Sequence, residues 1–198
     1  MKLNQSISNK STAVLVVDIQ NDYCHEDGYL ARQGSSVHMI QQMIPKLDSF
    51  IEGARAEKLP IIFIKTIHEK STDSPTWVSR MKGDQSGLCR KGEWGSEFYK
   101  IAPSSDDIVI VKHRYSAFIH TKLESVLKAY SIKELIIAGV STNVCVESTA
   151  RDGFMLDYGV TLLSDCTAAF SDEEHEMSLR NIDNYFGKVY RADQLFVQ

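Results

Sequence analysis

The sequence predicts an α/β protein in which a parallel sheet lies between two layers of helices. Two observations carry the prediction: short apolar runs rich in β-branched residues recur along the chain, and segments with apolar residues three and four apart separate them. Strands alternating with helices imply right-handed βαβ units, hence a three-layer α/β/α sandwich. The first run, Ala13 to Val17, is apolar throughout, as a strand buried on both faces must be, and it stops at Asp18. Val37, Ile40, Met43, Ile44, Leu47, Phe50, Ile51 and Ala54 then mark one stripe of an amphipathic helix ending near Lys58. Pro60 admits the second strand, Ile61 to Ile64. Residues 67–106 have little periodicity and hold both tryptophans, so they read as a long excursion, and long loops in compact domains are usually functional. Ile108 to Val111 makes the third strand, closed by Lys112; Thr121 to Tyr130 makes a helix; and Glu134 to Val140 is the fourth strand. A helix with Cys145 on its first turn, capped by Ser141, Thr142 or Asn143, runs to about Asp157, followed by a strand over Val160 to Leu163, a helix over about Glu173 to Tyr185, and a short strand over Lys188 to Tyr190.

The chain has 198 residues, 43% of them hydrophobic and 24% charged, which suits a single soluble domain spanning residues 1–198. Such a length buries about 70% of the unfolded surface, so neither a metal nor a disulfide staple is required. A net charge of -4 with no concentrated basic face argues against nucleic acid or a membrane surface as partner. The expected partner is a small-molecule substrate. Residues 1–12 lack the apolar core of a signal peptide, and no run of 18 apolar residues occurs, so the expected location is cytoplasmic. The four cysteines, Cys24, Cys89, Cys145 and Cys166, show no zinc-site spacing, and disulfides are not expected in a reducing compartment. Cys24 and Cys166 read as structural, Cys89 as a loop thiol, and His175 and Glu176 as part of a solvated helix face.

The stretch Gly139-Val140-Ser141-Thr142-Asn143-Val144-Cys145 carries the most chemistry, because a strand ends there and a helix begins with a cysteine on its first turn. A helix N-terminus offers free N–H groups and partial positive charge, an environment that lowers a thiol pKa. At an ordinary pKa only about 3% of a thiol is ionised at pH 7, whereas a pKa near 6 would give about 90%. In parallel sheets ligands sit at the carboxyl ends of strands, and Asp18, Lys112 and Cys145 all fall there. Together they form a workable set for covalent catalysis: Cys145 as nucleophile, Asp18 as proton shuttle, Lys112 to orient Asp18 and hold charge near the thiolate. A nucleotide-binding Rossmann module is disfavoured, because Gln20-Asn21-Asp22 stands where its glycine-rich turn would be.

Val17 to Tyr23, Val111 to Phe118 and Gly139 to Asp152 resemble the three signature blocks of the isochorismatase-like cysteine hydrolases, and the resemblance covers nearly the whole chain. It implies a six-stranded sheet of order 3-2-1-4-5-6 and a catalytic triad of Asp18, Lys112 and Cys145. It also implies a cis peptide between Val140 and Ser141, an oxyanion hole from the N–H groups of Ser141 and Cys145, no cofactor, and assembly as a homodimer or homotetramer. With strands about 4.8 Å apart, Lys112 would start two spacings from Asp18 and have to lean across the second strand.

Within that family the resemblance is strongest to the ureidoacrylate amidohydrolase branch, through Tyr115-Ser116, Asn143 to Thr149, Arg151 to Phe154, and Lys91-Gly92 with Trp94. It implies a cysteine amidohydrolase that cleaves a carbon–nitrogen bond of a small amide, ureido or carbamoyl acid through a thioester. The branch has an asparagine and a tryptophan where Thr66 and His68 stand here. Nicotinamidases of the family place metal ligands after the second strand; the single His68 there lacks an Asp-x-His pair, so no metal is expected. Tyr23 and Tyr115 are expected to wall the substrate pocket, and His68 and Trp94 to form a lid. The alternatives are an isochorismatase-type or nicotinamidase-type hydrolase, or a relative that acts without catalysis.

Overall fold

Six strands build one parallel sheet, and the chain's apolar runs supply all of them. The computed structural model describes residues 2–3, 11–80 and 87–197. The strands are β1 (Thr12–Val17), β2 (Ile61–Thr66), β3 (Ile108–Lys112), β4 (Glu134–Val140), β5 (Gly159–Ala168) and β6 (Lys188–Tyr190). Their order across the sheet is β3-β2-β1-β4-β5-β6, every neighbouring pair parallel, which is the 3-2-1-4-5-6 order. All six residues of β1 are buried, as a central strand covered on both faces requires. Outside the sheet, Lys2–Leu3 pairs antiparallel with Phe196–Val197.

Side-chain alternation divides the core in two. Val14, Val16, Phe63, Ile136 and Ala138 point to one face and meet α1 (His38–Ala56) through Ile40, Leu47, Phe50 and Ile51. Leu15, Val17, Ile62, Ile64, Ile110 and Ile137 point to the other, against α2 (Leu123–Ala129), α3 (Glu147–Met155) and α4 (Asp172–Tyr185). Each such side chain, fully buried, contributes about 1.5–3 kcal/mol. Among the described residues no helix is long and apolar enough to cross a membrane.

Close packing also dictates a glycine. Gly139 lies opposite Val17 at the end of β4, with φ +115°, and a Cβ there would come within 2.1 Å of the Val17 carbonyl oxygen. No other residue fits, so β4 passes tight against β1 where both strands deliver their site residues.

Three elements differ from expectation. β5 continues past Leu163 to Ala168, through a register shift against β4. The polar residues that seemed to end it bond to the C-terminal segment: Ser164 Oγ donates to the Tyr190 carbonyl, and Asp165 accepts from the Ala192 N–H and pairs with Arg191. The helix carries Cys145 on its first turn as expected, but that turn is π, over Thr142–Val146, and leads into α3. The 67–106 excursion contains a short helix, Pro75–Arg80, and a 3-10 turn, Trp94–Ser96; its residues 81–86 lie outside the described residues.

All four thiols are buried, including the loop thiol Cys89, which is 0% exposed and whose N–H donates to Asp22 Oδ2 at 2.6 Å. Burial pushes Cys24 and Cys89 well up and Cys166 up to about 12. A thiol whose folded pKa exceeds the unfolded value near 8.5 stabilises the fold fully below that pH and loses its contribution as pH rises toward the folded pKa. The loss is about 1.4 kcal/mol per pH unit for each thiol. The urea midpoint should therefore hold up to about pH 8 and fall steeply by pH 9.5. A midpoint unchanged between pH 7.5 and 9.5 would mean that the thiols ionise without unfolding the chain.

Candidate active site

The site is assembled where β1 to β4 end. Asp18 follows β1 with φ +52°, a left-handed conformation that most side chains avoid and aspartate tolerates better than most. The turn is closed by the Gln20 N–H donating to the Asp18 carbonyl at 2.8 Å, and the carboxylate is left 0% exposed. Lys112, the last residue of β3, is also 0% exposed and lies in register with Thr66 of β2. Its stem leans across the end of β2, and Nζ reaches 2.8 Å from Asp18 Oδ2.

Thr66 bridges the pair, a role the sequence did not suggest. Its hydroxyl accepts from Lys112 Nζ at 2.7 Å and donates to Asp18 Oδ1 at 2.9 Å. Gln20 holds Thr66 in turn: its amide accepts from the Thr66 N–H at 2.7 Å and donates to the Thr66 carbonyl at 2.8 Å. Nζ also donates to the Arg114 carbonyl at 3.0 Å and to Cys145 Sγ at 3.4 Å. The same ammonium thus holds Asp18 through Oδ2 directly and through the Thr66 hydroxyl on Oδ1, beside the Cys145 thiol.

Cys145 sits inside the π turn, where the Val146 N–H donates to the Ser141 carbonyl at 3.2 Å. The peptide between Val140 and Ser141 is cis. From α4, His175 Nδ1 lies 2.9 Å from Thr142 Oγ1, so this histidine is buried against the turn and does not sit on a solvated face. The thiol itself corrects an expectation. Its pKa is pushed far up: burial is the largest cause, Lys112 lowers it, and the charge of Asp18 raises it. Burial outweighs the pull of the neighbouring ammonium, and the resting group is a thiol beside a lysine that carries its proton. Burial disfavours the Lys112 ammonium, yet Asp18 and Cys145 outweigh it and raise its pKa.

A cavity of ≈ 160 Å³ opens on Cys145, lined by Lys112, Thr66 and Ser141 on its polar side and by Leu30, Leu88, Val144 and Phe170 on its apolar side. Tyr23, His68 and Tyr115 also line it. Tyr23 is pushed well up by burial and by the nearby Cys89, Asp18 and Cys145. His68 is pushed down to about 4 by burial, so its imidazole is neutral at pH 7. Trp94 is not brought to the cavity: it is 49% exposed and meets His25 edge-on. Trp77, from the short helix in the excursion, takes that place and packs on His68 and Tyr115. The excursion's composition marked both tryptophans, but nothing local distinguished them. A wider cleft of ≈ 470 Å³ lies around Thr12, Glu134 and Gly159, the amino ends of β1, β4 and β5, and holds none of these groups.

Comparison with known proteins places the chain in a family. The Isochorismatase domain family model matches residues 12–194. Ureidoacrylate amidohydrolase RutB of Stutzerimonas stutzeri (strain A1501) is 36% identical over 198 residues, 92% of this chain and 80% of the relative. A cysteine hydrolase from Pseudomonas syringae pv. phaseolicola 1448A superposes with a TM-score of 0.87 at 29% identity, covering 98% of this chain and 94% of the other. N-carbamoylsarcosine amidase from Thermoplasma acidophilum does so with 0.78 at 27% identity, over 92% and 97%.

Cys145 is 5% exposed and faces the cavity, whereas Cys24, Cys89 and Cys166 are 0% exposed. Iodoacetamide should therefore label Cys145 first. Because the thiol is raised, the rate should climb about tenfold per pH unit from pH 6 to pH 9. Mass mapping after timed quenching gives the profile; a plateau below pH 7 would instead reveal a preformed thiolate.

Proposed function

Because this chain belongs to the isochorismatase domain family, we propose that it is a cysteine amidohydrolase using Asp18, Lys112 and Cys145 on a small amide, ureido or carbamoyl acid. The observation that carries the reading is the single ammonium of Lys112, 2.8 Å from Asp18 and 3.4 Å from Cys145 at the floor of one cavity. Amide chemistry is supported by relatives described as a ureidoacrylate amidohydrolase and an N-carbamoylsarcosine amidase.

A raised thiol cannot wait as an anion, so it must lose its proton as it attacks. Asp18 takes that proton while Cys145 Sγ bonds to the carbonyl carbon. The negative charge passes from Asp18, by way of the attacking sulfur beside Lys112, to the carbonyl oxygen, so it starts next to the ammonium and ends on preorganised N–H donors. The N–H groups of Ser141 and Cys145 receive the oxyanion. Protonated Asp18 then gives its proton to the leaving nitrogen, and the carbon–nitrogen bond breaks to leave a thioester. Water, deprotonated by Asp18, attacks the thioester and releases the acid and the thiol. Tyr23, Tyr115 and His68 would shape the substrate's place. No metal enters this scheme: among the described residues no three metal-ligating side chains gather around His68.

An ammonia-release screen over amides and ureido acids should find turnover, and Cys145→Ala should lower it by more than about a thousandfold. Isochorismate should not be cleaved. Ammonia release that survives in Cys145→Ala, or efficient isochorismate cleavage, would refute the reading.

Thr66 should act by holding Asp18 and Lys112 in place. A hydrogen bond to a charged group contributes about 1.5–3 kcal/mol, so Thr66→Val should lower kcat by about 10- to 100-fold and move the acidic limb of its pH profile. Thr66→Ser, which keeps the hydroxyl, should restore both. Equal losses in the two variants would assign Thr66 to packing alone.

A further inference from the structure

The cavity above Cys145 has a cation in its wall that no carboxylate neutralises. Arg114 follows β3 by two residues, is half-buried, and lines the same cavity as Cys145. Among the described residues no Asp or Glu oxygen lies within ion-pair distance of it, whereas Arg55, Arg90, Arg151 and Arg191 each have such a partner. Its guanidinium is nevertheless held firmly. Nη1 donates to the His113 carbonyl at 2.6 Å and the Thr72 carbonyl at 3.1 Å, and the guanidinium carbon lies 5.1 Å from the centroid of the Trp77 ring. Nε and Nη2 donate to no described residue. The indole N–H of Trp77, also at the cavity, is buried and has no acceptor among the described residues.

The other basic groups there cannot balance an anion. Lys112 is already paired with Asp18, and His68 is neutral at pH 7. A half-buried guanidinium in a cavity that Leu30, Leu88 and Phe170 also line is costly unless a negative group arrives, and a fork fixed in advance by two carbonyls and an indole is built to receive a planar one. We propose that Arg114, with the Trp77 N–H beside it, seats a carboxylate of the substrate, so that the enzyme selects amides or ureides that bear a second, ionised carboxyl group. The inference rests on the amidohydrolase reading for the position of the scissile carbonyl at Cys145.

Arg114 contacts Lys112 only through its main-chain carbonyl, so changing the side chain leaves that contact in place. Succinamate and the uncharged 4-oxopentanamide, similar in shape and both releasing ammonia, separate the effects. The wild type should favour succinamate by about tenfold or more in kcat/KM, and Arg114→Gln should bring that ratio close to one, with Arg114→Lys between. A wild type that favours the uncharged amide, or a ratio unchanged in Arg114→Gln because both substrates suffer alike, would overturn the assignment. Calorimetric binding of succinate tests the seat without turnover. It should bind to Cys145→Ala and weaken by about tenfold or more when Arg114→Gln is added. Absent or unaltered succinate binding would overturn the seat while leaving amide hydrolysis standing, and failure of every amide in the screen would count against the amidohydrolase reading alone.

Discussion

The buried ion pair of Asp18 and Lys112 constrains everything around it. Two opposite charges, 0% exposed, are tolerable only while each compensates the other, and removing either partner of such a pair typically costs about 3–5 kcal/mol. Their strands are not neighbours: β2 lies between β1 and β3. The register that sets Thr66 beside Lys112 therefore decides whether the pair can form, and a slip by one residue would turn a threonine hydroxyl into the wrong layer. The same geometry gives the pair its chemistry. One ammonium touches Asp18, Thr66, the Arg114 carbonyl and Cys145 at once, so the proton-accepting carboxylate and the thiol share a single positive charge.

Around this centre the irregular segments are tied down from below. Asp22 accepts from the Tyr29 N–H at 2.9 Å and from the Cys89 N–H at 2.6 Å, so one carboxylate joins the turn after β1 to the far end of the excursion. Gly95 passes so close to that carboxylate that a Cβ would come within 2.1 Å of it. Gln20 spans from Thr66 to the Ser96 carbonyl, and Arg90 pairs with Asp73 at 2.7 Å. An excursion with little hydrophobic periodicity is thus ordered by buried polar contacts, the setting in which a full set of partners matters most.

On the nucleophile's side the support comes from α4. Ser178 Oγ and Asn181 Nδ2 donate to Glu147, which also accepts from Arg151, and His175 meets Thr142. This network grips both ends of the π turn. A thiol buried there is reactive through its neighbours and not through a low pKa of its own, since the cost of desolvating a thiolate exceeds what the Lys112 ammonium returns.

Local patterns determined the strands, the main helices and the three strand-end residues. Apolar runs such as Ala13 to Val17 can hardly be anything but buried strands, and Asp18, Lys112 and Cys145 stand where those runs or their turns end. Family resemblance supplied the strand order. Tertiary structure alone decided the rest. Thr66 looks like an ordinary strand threonine until β3 arrives beside it, and Trp77 and Trp94 share one loop yet only the first reaches the cavity. His175 and Cys89 are buried by partners 33 residues and 67 residues away in the chain. Periodicity records which face of an element avoids water. Which distant group that face meets, and therefore the pKa of the thiol and the charge balance of Arg114, is settled only when the strands are in register and the loops have closed over them.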